Sequence, residues 1–320
     1  MRAARLAGPR RFEFVQAEIP QLKEGHVLIR LERLSICGSD LRTYDRVFPE
    51  EQYPLMVGRP CHECAGVVID SRNDAYRPGQ RVIALPSHDA GLVEYLVEPP
   101  TRLIHLPDQG DLSTLLMCQP VGTVMYSCQR IGSVLGKRVA ILGQGAIGLS
   151  FTHWMARQGA RQVIVTDLLD YRLEEAKRLG ATHTINPTRE DVPSVVAEVT
   201  GGEMADVVVE AVGRPETSNM IWEVVRKQGL VALFGHPHDQ NVFPFNYDAM
   251  MNKLPTIIVT VSSRTPHPTQ YIEECVNLVT QGRLDLSRLV THRMTFDQVQ
   301  QAYDMYSDKL DNVIKVVIEL

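Results

Sequence analysis

The clearest pattern along the chain is a series of short, unbroken apolar runs separated by stretches of helical periodicity. Val139, Ala140, Ile141 and Leu142 form one such run, as expected of a strand buried on both faces. Similar runs follow at Val163-Ile164-Val165-Thr166, Asp206-Val207-Val208-Val209-Glu210 and Gly229-Leu230-Val231-Ala232-Leu233-Phe234-Gly235, with Thr256-Ile257-Ile258-Val259-Thr260-Val261 read as the last strand of this series. Residues 173–179 have helical periodicity that stops at Gly180. Strands of this kind with crossover helices between them predict an α/β fold built on a doubly wound parallel sheet.

The first hundred residues follow a different pattern. Val27-Leu28-Ile29-Arg30-Leu31, Gly66-Val67-Val68-Ile69, Arg81-Val82-Ile83-Ala84 and Leu92-Val93-Glu94-Tyr95-Leu96-Val97 are short strand-like runs separated by Gly, Pro, Asn and Asp. They predict an all-β module, a barrel or a sandwich. Residues 112–133 read as helical and lead toward the parallel sheet. In the tail, Ile272, Cys275, Val276 and Val279 recur at helical spacing before Gly282. Thr295-Phe296-Asp297-Gln298 is a capping box that opens another helix. The chain then closes on an apolar run at 312–318. A late strand with no helix after it fits a parallel sheet poorly, so the tail is expected to return to the first module.

At 320 residues the chain exceeds the usual single domain, so two are expected. We place the first at 1–118 and 265–320 and the second at 119–264. A net charge of -5 and a pI near 6.1 give no reason to expect nucleic acid or an anionic membrane as a partner. Arg2, Arg5, Arg10 and Arg11 make the start basic, but no apolar core follows as a signal peptide requires, and no run is long enough to cross a bilayer. A cytoplasmic protein is expected. Its six cysteines are sparse, and in a reducing compartment they read as thiols or metal ligands rather than disulfides.

Two stretches carry candidate chemistry. Gly143-Gln144-Gly145-Ala146-Ile147-Gly148 is a GxGxxG turn placed directly between a strand and a helix. Gly143 permits the tight turn, Gly145 lets a dinucleotide pyrophosphate approach the backbone, and Gly148 lets the helix pack on the strand. Asp167 ends the next strand, where an acid accepts hydrogen bonds from the adenosine ribose. The residues after it are Leu168 and Leu169, with no arginine to receive a 2′-phosphate, which favours NAD over NADP. The second stretch is in the β module, where Cys37, His62 and Glu63 offer a thiol, an imidazole and a carboxylate. These are zinc ligands, and three of them with an open position make a site of the catalytic kind. A lone Cys, or a lone His-Glu pair on a strand, is more often packing or surface.

The motifs CGSD at residues 37–40, HExxG at 62–66, GQGAIG at 143–148 and EAVG at 210–213 together resemble the zinc-containing medium-chain alcohol and polyol dehydrogenases, over essentially the whole chain. The resemblance implies a GroES-like β-barrel catalytic domain, rejoined by the tail, beside a Rossmann NAD-binding domain. It implies zinc ligation by Cys37 and His62, with Glu63 and Gln119 able to ligate directly or to exchange with water. Asp40 would orient the zinc-bound His, and Ser39 would take the alcohol proton. Ala146, Ile147, Arg172, Val212 and Gly235 would join the glycines and Asp167 in holding the cofactor. The implied partner is a small alcohol or ketone, and the implied assembly is a homodimer or homotetramer formed through the 256–261 strand.

The chain also departs from this family. The run of four cysteines that holds a structural zinc in larger members is absent between Val82 and Gly91, so one zinc per chain is expected. Cys61 stands where the family has Gly, and with Cys64 it admits a different metal cluster, although Cys64 reads better as a small core residue. His88 and His292 read as surface or satisfied histidines. Arg42 occupies the place of a proton-relaying His, and a guanidinium stays charged. It is left to bond NAD, to meet an anionic substrate group, or to pair with Asp45. Two other readings remain: a zinc-free NADPH reductase of quinones or enones on the same fold, and a catalytically inactive NAD-binding module.

Overall fold

Short strands that alternate covered and uncovered positions open the chain: β1 (Arg2–Gly8), β2 (Arg11–Gln16), β3 (Val27–Ser35), β4 (Glu63–Ser71), β5 (Arg81–Ala84), β6 (Tyr95–Glu98) and β7 (Leu103–His105). A computed structural model describes residues 1–237, 242–260, 265 and 267–320. Among the early strands lies one short helix, α1 (Leu41–Tyr44), and after them come α2 (Leu112–Leu116) and α3 (Cys118–Ile131). The helix expected over 112–133 is therefore two. Asp111 caps the first by accepting from the Thr114 amide at 3.0 Å, and Pro120, which has no amide hydrogen to donate, sits in the opening turn of the second.

The middle of the chain alternates β8 (Arg138–Leu142), α4 (Ala146–Arg157), β9 (Gln162–Thr166), α5 (Asp170–Arg178), β10 (His183–Ile185), α6 (Val192–Val199), β11 (Ala205–Glu210), α7 (Pro215–Val224), β12 (Val225–Leu233), α8 (Tyr247–Lys253) and β13 (Thr256–Val259). The strands pair in the order β10-β9-β8-β11-β12-β13, all parallel. β8 and β11, at the centre, bury Val139, Ile141, Leu142, Val208 and Val209 completely or nearly so. Full burial of such side chains stabilises by about 1.5–3 kcal/mol each. β10 is the strand the sequence does not announce, because three residues, two of them polar, make no apolar run. The strand expected at 256–261 is formed at Thr256–Val259, and Val261 lies outside the described residues.

The tail adds α9 (Gln270–Thr280), β14 (His292–Thr295), α10 (Val299–Asp308) and β15 (Val316–Glu319). The capping box at Thr295 is formed, and a single 3-10 turn separates it from α10. β15 starts later than the apolar run because Asp311 and Asn312 adopt left-handed backbone conformations (φ 51° and 56°) that end the preceding turn. It runs antiparallel to β3, with Val317 opposite Ser35 and Ile318 opposite Leu34. The chain divides into two compact units, Met1–Gly122 with Pro266–Leu320, and Thr123–Thr265. In the first, β14-β15-β3-β4-β5-β7 form one sheet, to which β6 adds through β3, and β1-β2 form a separate ladder. Ile29, Leu34, Val82, Leu92, Val316 and Ile318 share its core, so the last strand is part of the hydrophobic centre.

Candidate functional site

β3 ends at Ser35 and β4 begins at Glu63, and the two strands pair antiparallel with Ser35 opposite Glu63. This pairing brings the 37–40 turn beside residues 62–63. The thiol of Cys37, an imidazole nitrogen of His62 and a carboxylate oxygen of Glu63 all lie within 4.8 Å of one another. Asp40, buried in the α1 turn, joins two of them. Its Oδ2 accepts from the Cys37 amide at 2.9 Å, and its Oδ1 lies 2.6 Å from His62 Nδ1. The carboxylate thereby holds the Nδ1–H tautomer and leaves Nε2 as the ligating nitrogen. Burial works against charging His62, but Asp40 and Cys37 outweigh it, and the metal-free imidazole is raised well above its ordinary pKa. A cation at this place meets a poised acceptor set.

Lys315 enters the same site and was not expected there. Its Nζ lies 2.5 Å from Glu63 Oε2 and donates to the Ile36 carbonyl at 2.9 Å, with the Lys315 and Glu63 side chains only 2% and 1% exposed. Burial alone would push the ammonium down in pKa, but Glu63 and Cys37 more than offset this, and it stands above the ordinary lysine value. One Glu63 oxygen is committed to Lys315, which leaves Oε1 for a metal. The sequence held a signal for this residue: a single lysine inside the otherwise apolar Val313-Ile314-Lys315-Val316-Val317.

Gln119 is buried, and its Nε2 donates to the His62 carbonyl at 2.8 Å. Its Oε1 is a buried acceptor that finds no donor among the described residues. An acceptor left that way costs free energy unless water or a cation meets it. One thiol, one imidazole, one carboxylate oxygen and this amide oxygen form a donor set that fits zinc. Ser39 is exposed, and its Oγ donates to Cys37 Sγ at 3.3 Å. Arg42 is half-buried in α1. Asp45, the suggested ion-pair partner of Arg42, accepts from Ser307 Oγ at 2.8 Å and lies 3.5 Å from Arg10 Nε. Cys61 and Cys64 are fully buried. The bond Cys61 makes with Cys64, together with burial, pushes its thiol well up, and burial raises Cys64 as well. His88 is exposed, and His292 has Thr291 and Asp311 as partners.

The second unit carries the other candidate residues. Gly143 adopts a positive φ of 90°, and a Cβ on Gly148 would run into the Gly143 carbonyl, so these two glycines are needed for the turn and for the close packing of α4. Gly145 caps α4, and the space beside it is open, with Arg172 Nη1 nearest at 3.9 Å from a built Cβ. Ala146 and Ile147 begin the helix, whose amides face that space. Gln144 is fully buried and braces the turn, donating to the Gly143 carbonyl at 2.9 Å and accepting from Thr152 Oγ1 at 2.8 Å. Asp167 accepts from the Gln144 amide at 2.7 Å and the Leu169 amide at 3.0 Å. The expectation that no cation stands near Asp167 is corrected here. The first turn of α5 swings Arg172 back over the carboxylate, with Nη1 3.7 Å from Oδ2. Val212 packs its Cγ2 against Gly143, and Gly235 lies against Glu210 and the 212–213 amides.

A zinc-binding dehydrogenase family model matches residues 146–280, and an alcohol dehydrogenase GroES-like domain model matches 23–108. The chain is 28% identical to an uncharacterized zinc-type alcohol dehydrogenase-like protein of Haemophilus influenzae, covering 99% of this chain and 98% of that one. It is 26% identical to the sorbitol dehydrogenase of Bacillus subtilis, covering 99% and 97%. A solved Escherichia coli oxidoreductase/dehydrogenase of unknown specificity superposes with a TM-score of 0.87 at 28% identity, covering 100% of this chain and 99% of that one. With the GroES-like and Rossmann units both matched, the chain belongs to the zinc-type medium-chain alcohol and polyol dehydrogenase family.

Proposed function

We propose that the protein is a zinc- and NAD-dependent dehydrogenase that moves a hydride between the cofactor and a secondary alcohol, the alcohol being a polyol, a sugar or a related polar metabolite. The observation that carries this reading is the convergence of Cys37, His62 and Glu63, with Asp40 bridging the first two. Zinc, when bound, supplies Lewis acidity toward an alcohol oxygen, and NAD supplies the hydride acceptor. The rest falls to side chains. Cys37 and His62 would hold one zinc per chain, with Glu63 and Gln119 able to ligate directly or to give way to water, which leaves a position for the alcohol oxygen. Asp40 fixes the His62 ring, and Ser39 Oγ takes the alcohol proton. Arg42 cannot relay that proton, because its guanidinium stays charged. The proton therefore passes from Ser39 to water.

Gly143, Gly145, Ala146, Ile147 and Gly148 receive the NAD pyrophosphate, and Asp167 and Arg172 receive the adenosine ribose. Val212 and Gly235 serve the other half of the cofactor. On this reading, 1–118 with 265–320 is the catalytic domain and 119–264 the NAD-binding domain. A homodimer or homotetramer is supported by β13, an edge strand of the sheet whose Ile257 and Val259 are 40% and 61% exposed. The six cysteines, all free thiols, suit a reducing cytoplasm.

The test is elemental analysis of the purified protein, followed by a screen of polyols, sugars and hydroxy acids for NADH formation. About one zinc per chain and an oxidised alcohol are expected. Full activity in Cys37→Ala refutes the zinc assignment. Zinc-free reduction of an activated alkene with NADPH establishes the reductase alternative, and NAD binding without turnover of any alcohol establishes an inactive module.

A further inference from the structure

Glu210 closes β11 with a carboxylate that the catalytic reading above does not use. It is 2% exposed, yet among the described residues it makes no ion pair; hydrogen-bond donors meet its carboxylate instead. Oε1 accepts from the Val212 amide at 2.9 Å, the Gly213 amide at 2.9 Å and Thr217 Oγ1 at 2.7 Å. Its own carbonyl accepts from the Phe234 and Gly235 amides at 3.0 and 2.8 Å. One residue therefore gathers the loop after β11, the start of α7 and the end of β12. An apolar residue here would leave the Val212 and Gly213 amides and the Thr217 hydroxyl without this acceptor.

The neighbours are shaped around that carboxylate. A Cβ on Gly235 would strike both Glu210 Oε2 and the Gly213 amide, so the glycine is required by close approach. Gly213 has φ 80°, and a Cβ there would meet the His236 carbonyl. Val212, held by Glu210, presses its Cγ2 on Gly143 of the phosphate turn, and the Ala211 amide donates to Leu142 at 3.0 Å. The sheet order explains why this matters. The chain runs outward one way from β8 through β9 to β10, then crosses back to β11 and runs outward the other way through β12 to β13, so the ligand crevice opens between the ends of β8 and β11. Asp167, at the end of β9, marks the adenosine side. The 211–213 loop lines the opposite side, where the nicotinamide half of a dinucleotide must lie.

We propose that Glu210 is a positioning residue that sets the nicotinamide half of the crevice by fixing the 211–213 loop, without touching the cofactor itself. The proposal rests on the NAD-dependent reading. It separates the two halves of the ligand: loss of the Glu210 acceptor weakens NADH and spares ADP-ribose, which has the adenosine and pyrophosphate but no nicotinamide.

The experiment is calorimetric titration of wild type, Glu210→Ala, Glu210→Gln and Gly235→Ala with NADH and with ADP-ribose. In Glu210→Ala, NADH affinity falls about tenfold or more, as expected for losing one or two buried acceptor bonds, while ADP-ribose affinity is held. Glu210→Gln, whose amide oxygen still accepts from both loop amides, keeps NADH affinity near wild type. Gly235→Ala, which drives a methyl into Glu210 and the loop, matches Glu210→Ala and carries the test if that variant fails to fold. Equal loss of both ligands, or loss of neither, in the two alanine variants overturns the proposal. A wild-type protein that binds NADH and ADP-ribose not at all overturns the cofactor reading, and this proposal with it.

Discussion

Replacing Lys315 by Met should destabilise the metal-free protein by about 3–5 kcal/mol, the range for breaking a buried ion pair by removing one partner. The number follows from the geometry. Lys315 Nζ and Glu63 Oε2 are 2.5 Å apart, and both side chains are almost wholly out of water. At an effective dielectric near 20 their attraction is about 7 kcal/mol, part of which offsets the desolvation of the two ions. Met fills the stem of the lysine but leaves the buried Glu63 carboxyl without its ion-pair partner, and it also loses the bond to the Ile36 carbonyl, worth about 1.5–3 kcal/mol for a charged donor. Zinc in the site returns positive charge beside Glu63, so the loss should be smaller in the zinc-loaded protein than after chelation. The assay is urea denaturation with and without chelator for wild type, Lys315→Met, Glu63→Gln and the double variant. Because a neutral pair leaves no stranded ion, the double variant should be more stable than Lys315→Met alone. A Lys315→Met loss below about 1 kcal/mol, typical of an exposed pair, or a double variant no better than the single, refutes the account of the pair as a tightly coupled buried charge couple.

Asp167→Ser should shift cofactor preference toward NADP by about 10–100-fold in kcat/KM ratio, since it removes a repelling carboxylate and frees Arg172, and a charged hydrogen bond is worth about 1.5–3 kcal/mol; steady-state kinetics with both cofactors checks this, and an unchanged ratio refutes it. Asp206, pinned by Arg138 at 3.0 Å and Arg226 at 2.7 Å, overcomes the upward push of burial and is held down at about 2. Its folded pKa is depressed, so its contribution, about 1–2 kcal/mol after allowance for the exposed Arg226, is present above the ordinary aspartate value and fades as pH falls from about 4 toward 2. Denaturation midpoints of wild type and Asp206→Asn should differ at pH 7 and converge only below about pH 2. Sedimentation at micromolar concentration should find a dimer or tetramer, and Val259→Asp, placing a charge on the open edge of β13, should shift it toward monomer; a monomeric wild type refutes that reading.

The sequence by itself determined what depends on near neighbours. The β8 run, the GxGxxG turn and Asp167 fall within about thirty residues, so the steric demands of Gly143 and Gly148 and the burial of β8 are written in the local order of residue types. The capping box at Thr295 is legible for the same reason: its two hydrogen bonds join residues three apart. Cys37, His62 and Glu63 were legible as residue types with zinc-ligand chemistry, and the motifs around them added the family. What only the tertiary structure decided is which distant groups complete these pieces. Lys315 meets Glu63 across 252 positions because β15 pairs with β3, and no periodicity encodes that pairing. Arg172 reaches Asp167 only through the angle at which α5 leaves β9, which overturns the idea of a carboxylate with no cation near it. β10 was invisible because three residues with a single apolar side chain among them become a strand only when β9 offers an edge to pair with. Glu210 looked like the polar end of an apolar run, and its grip on two loop amides and Thr217 exists only once β11, β12 and α7 are packed together. Local order specifies backbone conformation and burial, whereas the partner of a buried charge is set by the packing of elements far apart in the chain.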